Sequence, residues 1–145
     1  MGSTYHSLHY HLIFSTKLRQ PLITPPFAGR LYTYMHGTIK GLDGLCQAIG
    51  GIEDHIHILV GLTPSHCLKD FVRELKKSAT LWSQETLPQF YWQEGYAAFT
   101  VSPTARPQVK HYIANQHAHH HKVSFQDELA GMLASAGVEY VPYDE

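Results

Sequence analysis

Two histidines separated by a single residue are the first feature of this sequence with the potential for chemistry. They lie in the segment Asp54-His55-Ile56-His57-Ile58-Leu59-Val60-Gly61, whose apolar and β-branched residues predict a buried or half-buried strand. Side chains alternate along a strand, so His55 and His57 share one face and can bind one metal ion. Imidazole suits Zn, Mn, Fe, Ni or Cu, and a third ligand with oxygen shifts the preference toward Mg or Mn. Short motifs of this kind also recur by chance, so the pair alone does not establish a site.

A tyrosine and a glutamine farther along the chain strengthen this interpretation. Tyr112 and Gln116 are four residues apart in a predicted helix that runs roughly from Ala105 or Pro107 to His121, so they share one helix face. An activated phenol oxygen can form a covalent intermediate, and a divalent metal can polarise a phosphodiester and orient the attack. The amide oxygen of Gln116 is a candidate third ligand. The product would be a phosphotyrosine that keeps the phosphate energy for later rejoining.

The elements that must position these residues follow from hydrophobic periodicity and from Gly and Pro punctuation. Strands are predicted at 5–16, 45–53, 54–61 and 91–102, and helices at 27–40, from 65 to about 82, at about 105–121 and at 125–136. Up to the third helix, the order is strand, helix, strand, strand, helix, strand, helix, and the fourth helix follows. This order predicts an α+β, ferredoxin-like βαββαβ antiparallel sheet with helices packed on one face, plus C-terminal helices. The length of 145 residues indicates one domain over 1–145.

Several local features carry finer predictions. Thr24 and Ser65 are plausible caps for the first two helices, and Gly50-Gly51 indicates a β-bulge or a close approach of backbone. His9 and His11 share a face of the first strand, either on a ligand surface or in solvent. The histidine-rich run 117–121 is interpreted as a solvated helix end, with an accessory metal site or a phosphate contact as alternatives.

Composition narrows the class of protein. A hydrophobic fraction of 43% supports a packed core and argues against disorder. The sequence has no apolar run long enough to span a membrane and no signal-like start, and its two cysteines show no pairing pattern, so a cytoplasmic protein is expected.

The net charge of −1 hides an asymmetry that permits an anionic partner. Residues 123–145 hold five of the 12 acids and no Lys or Arg, so residues 1–122 carry 11 bases and seven acids. The candidates for contacts with a DNA backbone lie on two predicted helices; they are Arg73, Lys76, Lys77, Arg106 and Lys110.

Three segments together carry a resemblance to a known family. They are the 54–60 motif, the stretch 92–102 (WQEGYAAFTVS), and 109–116 (VKHYIANQ) followed by 119–122 and Ser124-Phe125. In this order and spacing they resemble the IS200/IS605-type single-tyrosine HUH transposases, which include the REP-associated tyrosine transposases. The likeness runs from the first strand to Glu128. The chain differs in having Asp54, where relatives often have Asn.

The resemblance implies an enzyme with a defined division of roles. His55, His57 and Gln116 would bind Mg or Mn, and Tyr112 would attack single-stranded DNA to give a 5′-phosphotyrosine and a free 3′-OH. It further implies recognition of DNA hairpins at element ends, and a homodimer in which active sites are shared between subunits. Two alternatives stay open: a non-catalytic or domesticated hairpin-binding protein on the same fold, and a metal hydrolase that activates water on the histidine pair.

Overall fold

The computed structural model describes residues 2–141, so Asp144 and Glu145 of the acidic C-terminal stretch lie outside the described residues. The strands are β1 (Leu8–Ser15), β2 (Leu45–Ile52), β3 (His55–Leu62) and β4 (Ala97–Thr100). The helices are α1 (Phe27–Gly41), α2 (Leu68–Gln84), α3 (Arg106–Ala114), α4 (Gln116–His120) and α5 (Phe125–Ser135), with a short 3₁₀ turn at Lys17–Arg19.

The four strands form one antiparallel sheet in the order β2-β3-β1-β4. With α1 between β1 and β2, and α2 between β3 and β4, this is the predicted βαββαβ arrangement, which is confirmed. β1 pairs with β3 along its whole length, and the register sets Ile13 opposite His57 and Ser15 opposite His55. The histidine pair therefore lies on an inner strand, between β2 and β1.

The two faces of β3 have different neighbours, as the alternation of side chains predicts. Ile56, Ile58 and Val60 are buried in the main core with α1 and α2. On the other face, Leu59 packs with Ile113 of α3 in a smaller apolar cluster. His55 and His57 belong to this second face, which the C-terminal helices cover. Helices thus lie on both faces of the sheet.

The first and fourth strands are shorter than the sequence predicts. β1 begins at Leu8 because its pairing with β3 ends there, opposite Leu62, and Tyr5 is 91% exposed. β4 begins at Ala97, since only four residues pair with β1. The preceding segment keeps a single isolated bridge between Trp92 and Thr16. Apolar alternation continues beyond the point where a partner strand is available, which explains both errors.

Neither predicted cap is used. α1 has Pro26 at its N-cap and α2 has Cys67, and neither makes a side-chain capping bond. Ser65 lies instead in a turn in which the imidazole of His66 accepts from the Thr63 backbone N–H at 3.0 Å. Because this local hydrogen bond holds the turn, α2 begins at Leu68 and not at residue 65.

The two consecutive glycines of β2 allow a close approach rather than a bulge. The register shift lies between Cys46 and Ala48, upstream of them. A Cβ atom on Gly50 would lie only 2.9 Å from the backbone oxygen of Ile113. A side chain at this position would push α3 away from the sheet. The predicted long helix is divided at Asn115 into α3 and α4.

Candidate active site

His55 and His57 are fully buried and direct Nε2 into one space between β3 and the C-terminal helices. Their other ring nitrogens have partners on the far side. His55 Nδ1 lies 2.8 Å from Asp54 Oδ1, and His57 Nδ1 lies 2.7 Å from Nε2 of His11. Polar partners of this kind orient the histidines of metal centres. Asp54 therefore lies behind the His55 ring, where its carboxylate orients the imidazole.

The predicted third ligand reaches the same space from α4. Gln116 is 1% exposed, and its Oε1 lies 3.1 Å from Nε2 of His55 and 3.0 Å from Nε2 of His120. The structure thus brings together His55, His57 and Gln116, the three residues for which the sequence predicts metal binding.

A carboxylate from α5 occupies the centre of this group. Oε1 of Glu128 lies 3.0 Å from Nε2 of His57, 3.2 Å from that of His120 and 3.4 Å from that of His55. Its Oε2 accepts hydrogen bonds from the Tyr112 hydroxyl and, at 3.1 Å, from the Gln116 amide. Ser124 fixes the start of α5 by accepting from the Asp127 backbone N–H at 3.2 Å.

These groups fit a divalent metal ion. His55, His57, His120 and Glu128 each offer one ligand atom, and the four atoms lie within 4.8 Å of one another. Imidazole nitrogens combined with a carboxylate oxygen form a donor set that suits divalent transition metals. The metal-binding character predicted from the sequence is therefore supported by the assembled side chains.

The buried charges of the site stabilise one another. Burial alone would raise the pKa of Glu128, but hydrogen bonds with His55 and His57 outweigh burial and hold that pKa well below its usual range. Burial alone would lower the pKa of His55, but the carboxylates of Asp54 and Glu128 raise it to about 8. For His57, burial prevails and lowers the pKa. Glu128 is therefore an anion at neutral pH.

Tyr112 projects from α3 toward the same group. Its ring centroid lies 5.6 Å from that of His57, and its hydroxyl lies 3.4 Å from Nε2 of His119. Burial, followed by the hydrogen bond to Glu128, raises the pKa of the phenol above its ordinary value. An open cleft of about 940 Å³ is lined by Tyr112, His119 and Glu128 together with residues of β4 and α5. A substrate can therefore reach the phenol from solvent.

The five predicted DNA contacts divide between two sides of the sheet. Arg73 forms ion pairs with Asp70 and Glu74, and Lys76 donates to backbone oxygens before β4 at 2.8 Å each. Both residues, and the exposed Lys77, belong to α2, which packs on the face opposite the histidines.

Arg106 and Lys110 lie on α3, the helix that carries Tyr112, and Lys110 is exposed. Arg106 approaches His9 with 3.2 Å between their nitrogens. These two cations therefore lie on the same side of the sheet as the site.

Two members of the site, His120 and Glu128, are not among the site residues predicted from the sequence. The run 117–121 was interpreted as a solvated helix end, with an accessory metal site as one alternative, and the side chain of His120 is only 5% exposed and faces Gln116. The spacing offered a signal, because Tyr112, Gln116 and His120 form an i, i+4, i+8 row on one helix face. Glu128 offered no comparable signal. It belongs to a separate helix, and no local sequence pattern predicts where that helix packs.

Comparison with known proteins places this arrangement in a family. Residues 4–116 match the sequence model of the family described as Transposase IS200 like. The chain belongs to the IS200-like transposase family. A curated relative is the ISDra2 transposase TnpA of Deinococcus radiodurans, 29% identical over 122 residues, which covers 77% of this chain and 86% of the relative. The resemblance inferred from the three sequence segments is therefore confirmed.

Solved structures give the same result at the level of the fold. A candidate transposase from D. radiodurans R1 is 30% identical, with a TM-score of 0.66 over 80% of this chain and 96% of that chain. A REP-associated tyrosine transposase bound to a REP hairpin is 15% identical, with a TM-score of 0.63 over 85% of this chain and 76% of that chain. At that identity the likeness to the second structure concerns the fold alone. Across residues 2–141 of this IS200-like transposase, no helix is both long and apolar enough to cross a membrane.

Proposed function

We propose that this IS200-like transposase cuts and rejoins single-stranded DNA through a covalent bond between Tyr112 and a 5′-phosphate. The observation that carries the proposal is the position of the Tyr112 hydroxyl, which donates to the same carboxylate that contacts Nε2 of His57. A nucleophile and an imidazole pair that share one buried carboxylate can act on one scissile phosphate.

The proposed reaction is a transesterification. The phenolic oxygen of Tyr112 loses its proton and attacks phosphorus, a Tyr–phosphate bond forms, and the bond from phosphorus to the 3′ oxygen breaks. The released 3′ oxygen takes up a proton and leaves as a 3′-OH. Glu128 orients the phenol by accepting its hydrogen bond. The reverse attack by a 3′-OH reseals the strand, because the phosphate energy is kept in the covalent intermediate.

Mg²⁺ or Mn²⁺ is the proposed cofactor, held by His55, His57 and Gln116. When bound, such an ion supplies positive charge that stabilises the transition state of phosphoryl transfer. The chain contributes rigid positioning, since the histidines lie on an inner strand and the second nitrogen of each has a partner. Gln116 contributes its amide oxygen from α4, in the helical row that begins with Tyr112.

The proposed substrate is a folded single-stranded DNA with a hairpin. Support comes from the REP-associated tyrosine transposase, which shares this fold and was solved with a REP hairpin. Arg106 and Lys110 are the proposed contacts to the DNA backbone next to Tyr112. Arg73, Lys76 and Lys77 are proposed only for DNA that extends around the sheet, because α2 packs on the opposite face.

We further propose that the transposase acts as a homodimer, as the family resemblance implies. In the sequence-based expectation, the tyrosine helix of one subunit serves the histidine pair of the other. The described chain brings Tyr112 and His57 together within one subunit, with ring centroids 5.6 Å apart. This geometry favours a site that is complete within each subunit, and shared sites are the alternative.

The deciding experiment is the capture of the covalent adduct. Labelled single-stranded DNA from the flanks of the gene, incubated with the protein and Mn²⁺, should give a slowly migrating protein–DNA band on denaturing electrophoresis. Tyr112→Phe removes one hydroxyl and should abolish the band while hairpin binding persists. Tyr96→Phe, at an exposed tyrosine, is the matched control and should form the adduct.

The same gel separates the remaining alternatives. An adduct that persists in Tyr112→Phe would refute the nucleophile assignment. Cleavage without any adduct, undiminished in that variant, would indicate a hydrolase that activates water. Binding without cleavage under all metal conditions would indicate a hairpin-binding protein.

A further inference from the structure

We propose that Glu128 of α5 is itself a metal ligand, so that one carboxylate binds the ion through Oε1 and holds the tyrosine nucleophile through Oε2. This inference rests on the proposed metal-dependent function and extends its ligand set. Glu128 lies beyond residues 4–116, the part of the chain that matches the family model. The ligand is therefore supplied by a helix outside the matched segment.

Distances within the site match those between ligands of one ion. Two ligand atoms bound at about 2.1 Å lie about 3.0 Å apart at right angles, and about 3.4 Å apart at a tetrahedral angle. Oε1 of Glu128 lies 3.0 Å, 3.2 Å and 3.4 Å from the Nε2 atoms of His57, His120 and His55. The carboxylate oxygen thus stands at ligand spacing from three imidazole nitrogens.

The hydrogen-bond partners of the imidazoles show that positive charge is needed between the rings and the oxygens that they face, either as protons on the rings or as a metal ion. His120 Nδ1 faces the backbone oxygen of Val123, and His55 Nδ1 faces the carboxylate of Asp54. Both partners can only accept, so in neutral rings Nδ1 carries the hydrogen and Nε2 presents a lone pair. Those lone pairs face the oxygens of Gln116 and Glu128, which present lone pairs as well.

Either a second proton on each ring or one metal ion between these atoms resolves the opposition of lone pairs. A single divalent ion resolves it for His55 and His120 at once, and it also neutralises the carboxylate of Glu128, whose side chain is only 1% exposed. Glu128 Oε2, which lies 3.3 Å from Nε2 of His119 and accepts from the Gln116 amide, also accepts the hydrogen bond of the Tyr112 hydroxyl. The carboxylate therefore couples the position of the phenol to the position of the ion.

The test is a titration of the full-length protein with Mn²⁺ in the absence of DNA, with free Mn²⁺ measured by its electron paramagnetic resonance signal. Glu128→Gln keeps the shape of the side chain and removes its charge. We expect Mn²⁺ to bind this variant at least about tenfold more weakly, since even outer partners of a metal site have effects of that size. Asp127→Asn removes the same charge from the exposed neighbouring residue and should bind as the wild type does.

His55→Ala separates failure of this inference from failure of the proposed function. If His55→Ala binds Mn²⁺ as tightly as the wild type, the metal centre itself is wrong. If His55→Ala loses binding while Glu128→Gln retains wild-type affinity, Glu128 is not a ligand and only the present inference is overturned.

Thermal unfolding followed by circular dichroism checks that each variant is folded. If Glu128→Gln shows no cooperative transition, Glu128→Asp takes its place. This variant keeps the charge but withdraws the carboxylate by one methylene, and it should also bind Mn²⁺ more weakly. Wild-type affinity in Glu128→Asp would then overturn the inference.

Discussion

At the scale of single residues, the site depends on the side chains that contact Nδ1 of each histidine and so orient its ring. His57 Nδ1 faces His11 and His55 Nδ1 faces Asp54, so each ring is held with Nε2 toward Glu128. His11 is 4% exposed, and its pKa is lowered to about 3, first by burial and then by His57. His11 is therefore a buried neutral imidazole, and its effect on stability depends on pH.

We predict that the metal-free protein loses stability as the pH falls below 6.5, in part through His11. Below its ordinary pKa of 6.5, His11 binds a proton in the unfolded chain, whereas in the folded chain it stays neutral until about pH 3. The unfolded state then binds more protons, so the free energy of unfolding falls by up to about 1.4 kcal/mol per pH unit for this group. Urea unfolding in the presence of EDTA from pH 7 to pH 4 measures that slope.

The variant His11→Gln should show a shallower slope over this range, because the group that binds the extra proton is gone. His36→Gln replaces an exposed histidine of α1 and serves as the control, with the wild-type slope expected. Equal slopes in wild type and His11→Gln would contradict the prediction.

Residue types and spacing predicted four members of the site but not all of it. His55 and His57 follow from strand alternation, and Tyr112 and Gln116 follow from helical spacing. These rules relate residues within one element, so they cannot show that Glu128 of α5 meets the imidazoles of β3. Asp54 was visible as an acid next to the pair, but only the three-dimensional structure shows that it faces Nδ1 of His55.

At the scale of elements, the site requires α3 to pack closely against β2. Gly50 provides this contact, because its missing side chain leaves room for the backbone of Ile113, one residue after Tyr112. The sequence indicated a special role for the glycine pair. It could not identify the partner, because the contact joins residues 63 positions apart in the chain.

We predict that Gly50→Ala strongly lowers the rate of adduct formation, while the protein still folds with a reduced free energy of unfolding. The added Cβ would lie 2.9 Å from a backbone oxygen, so α3 has to shift, at a cost of about 1–3 kcal/mol. The shift moves Tyr112 relative to His57 and should lower the rate of adduct formation by on the order of a hundredfold. The rate of adduct formation and the free energy of unfolding are measured on the same preparation.

Gly29→Ala is the matched control, since a Cβ at this helical glycine has no atom within 4 Å. This variant should be as active as the wild type and slightly more stable, because alanine restricts the unfolded chain. Wild-type adduct formation in Gly50→Ala would show that the close contact does not position the nucleophile.

At the scale of the whole molecule, the sheet separates a structural face from a chemical one. The face that packs against α1 and α2 is apolar, and its buried core holds β3 in place. The other face carries the imidazoles, and the C-terminal helices bring Tyr112, Gln116 and Glu128 to it. The first half of the chain thus supplies the pair His55 and His57 and the second half supplies the nucleophile, so either one subunit or two can complete a site.

Mixing two inactive variants distinguishes these assemblies. Tyr112→Phe lacks the nucleophile and His57→Ala lacks an imidazole, so a mixed dimer with shared sites would contain one site with both groups intact. Because α3 docks on β2 of its own chain and the Tyr112 hydroxyl contacts Glu128 of its own chain, we expect no recovery of the adduct in the mixture. Denaturing electrophoresis after co-refolding measures the recovery, and wild-type protein co-refolded with the double variant should keep its adduct if each site lies within one subunit and lose it in mixed dimers if sites are shared. Adduct formed by the mixture of single variants would show that the tyrosine helix crosses to the partner subunit.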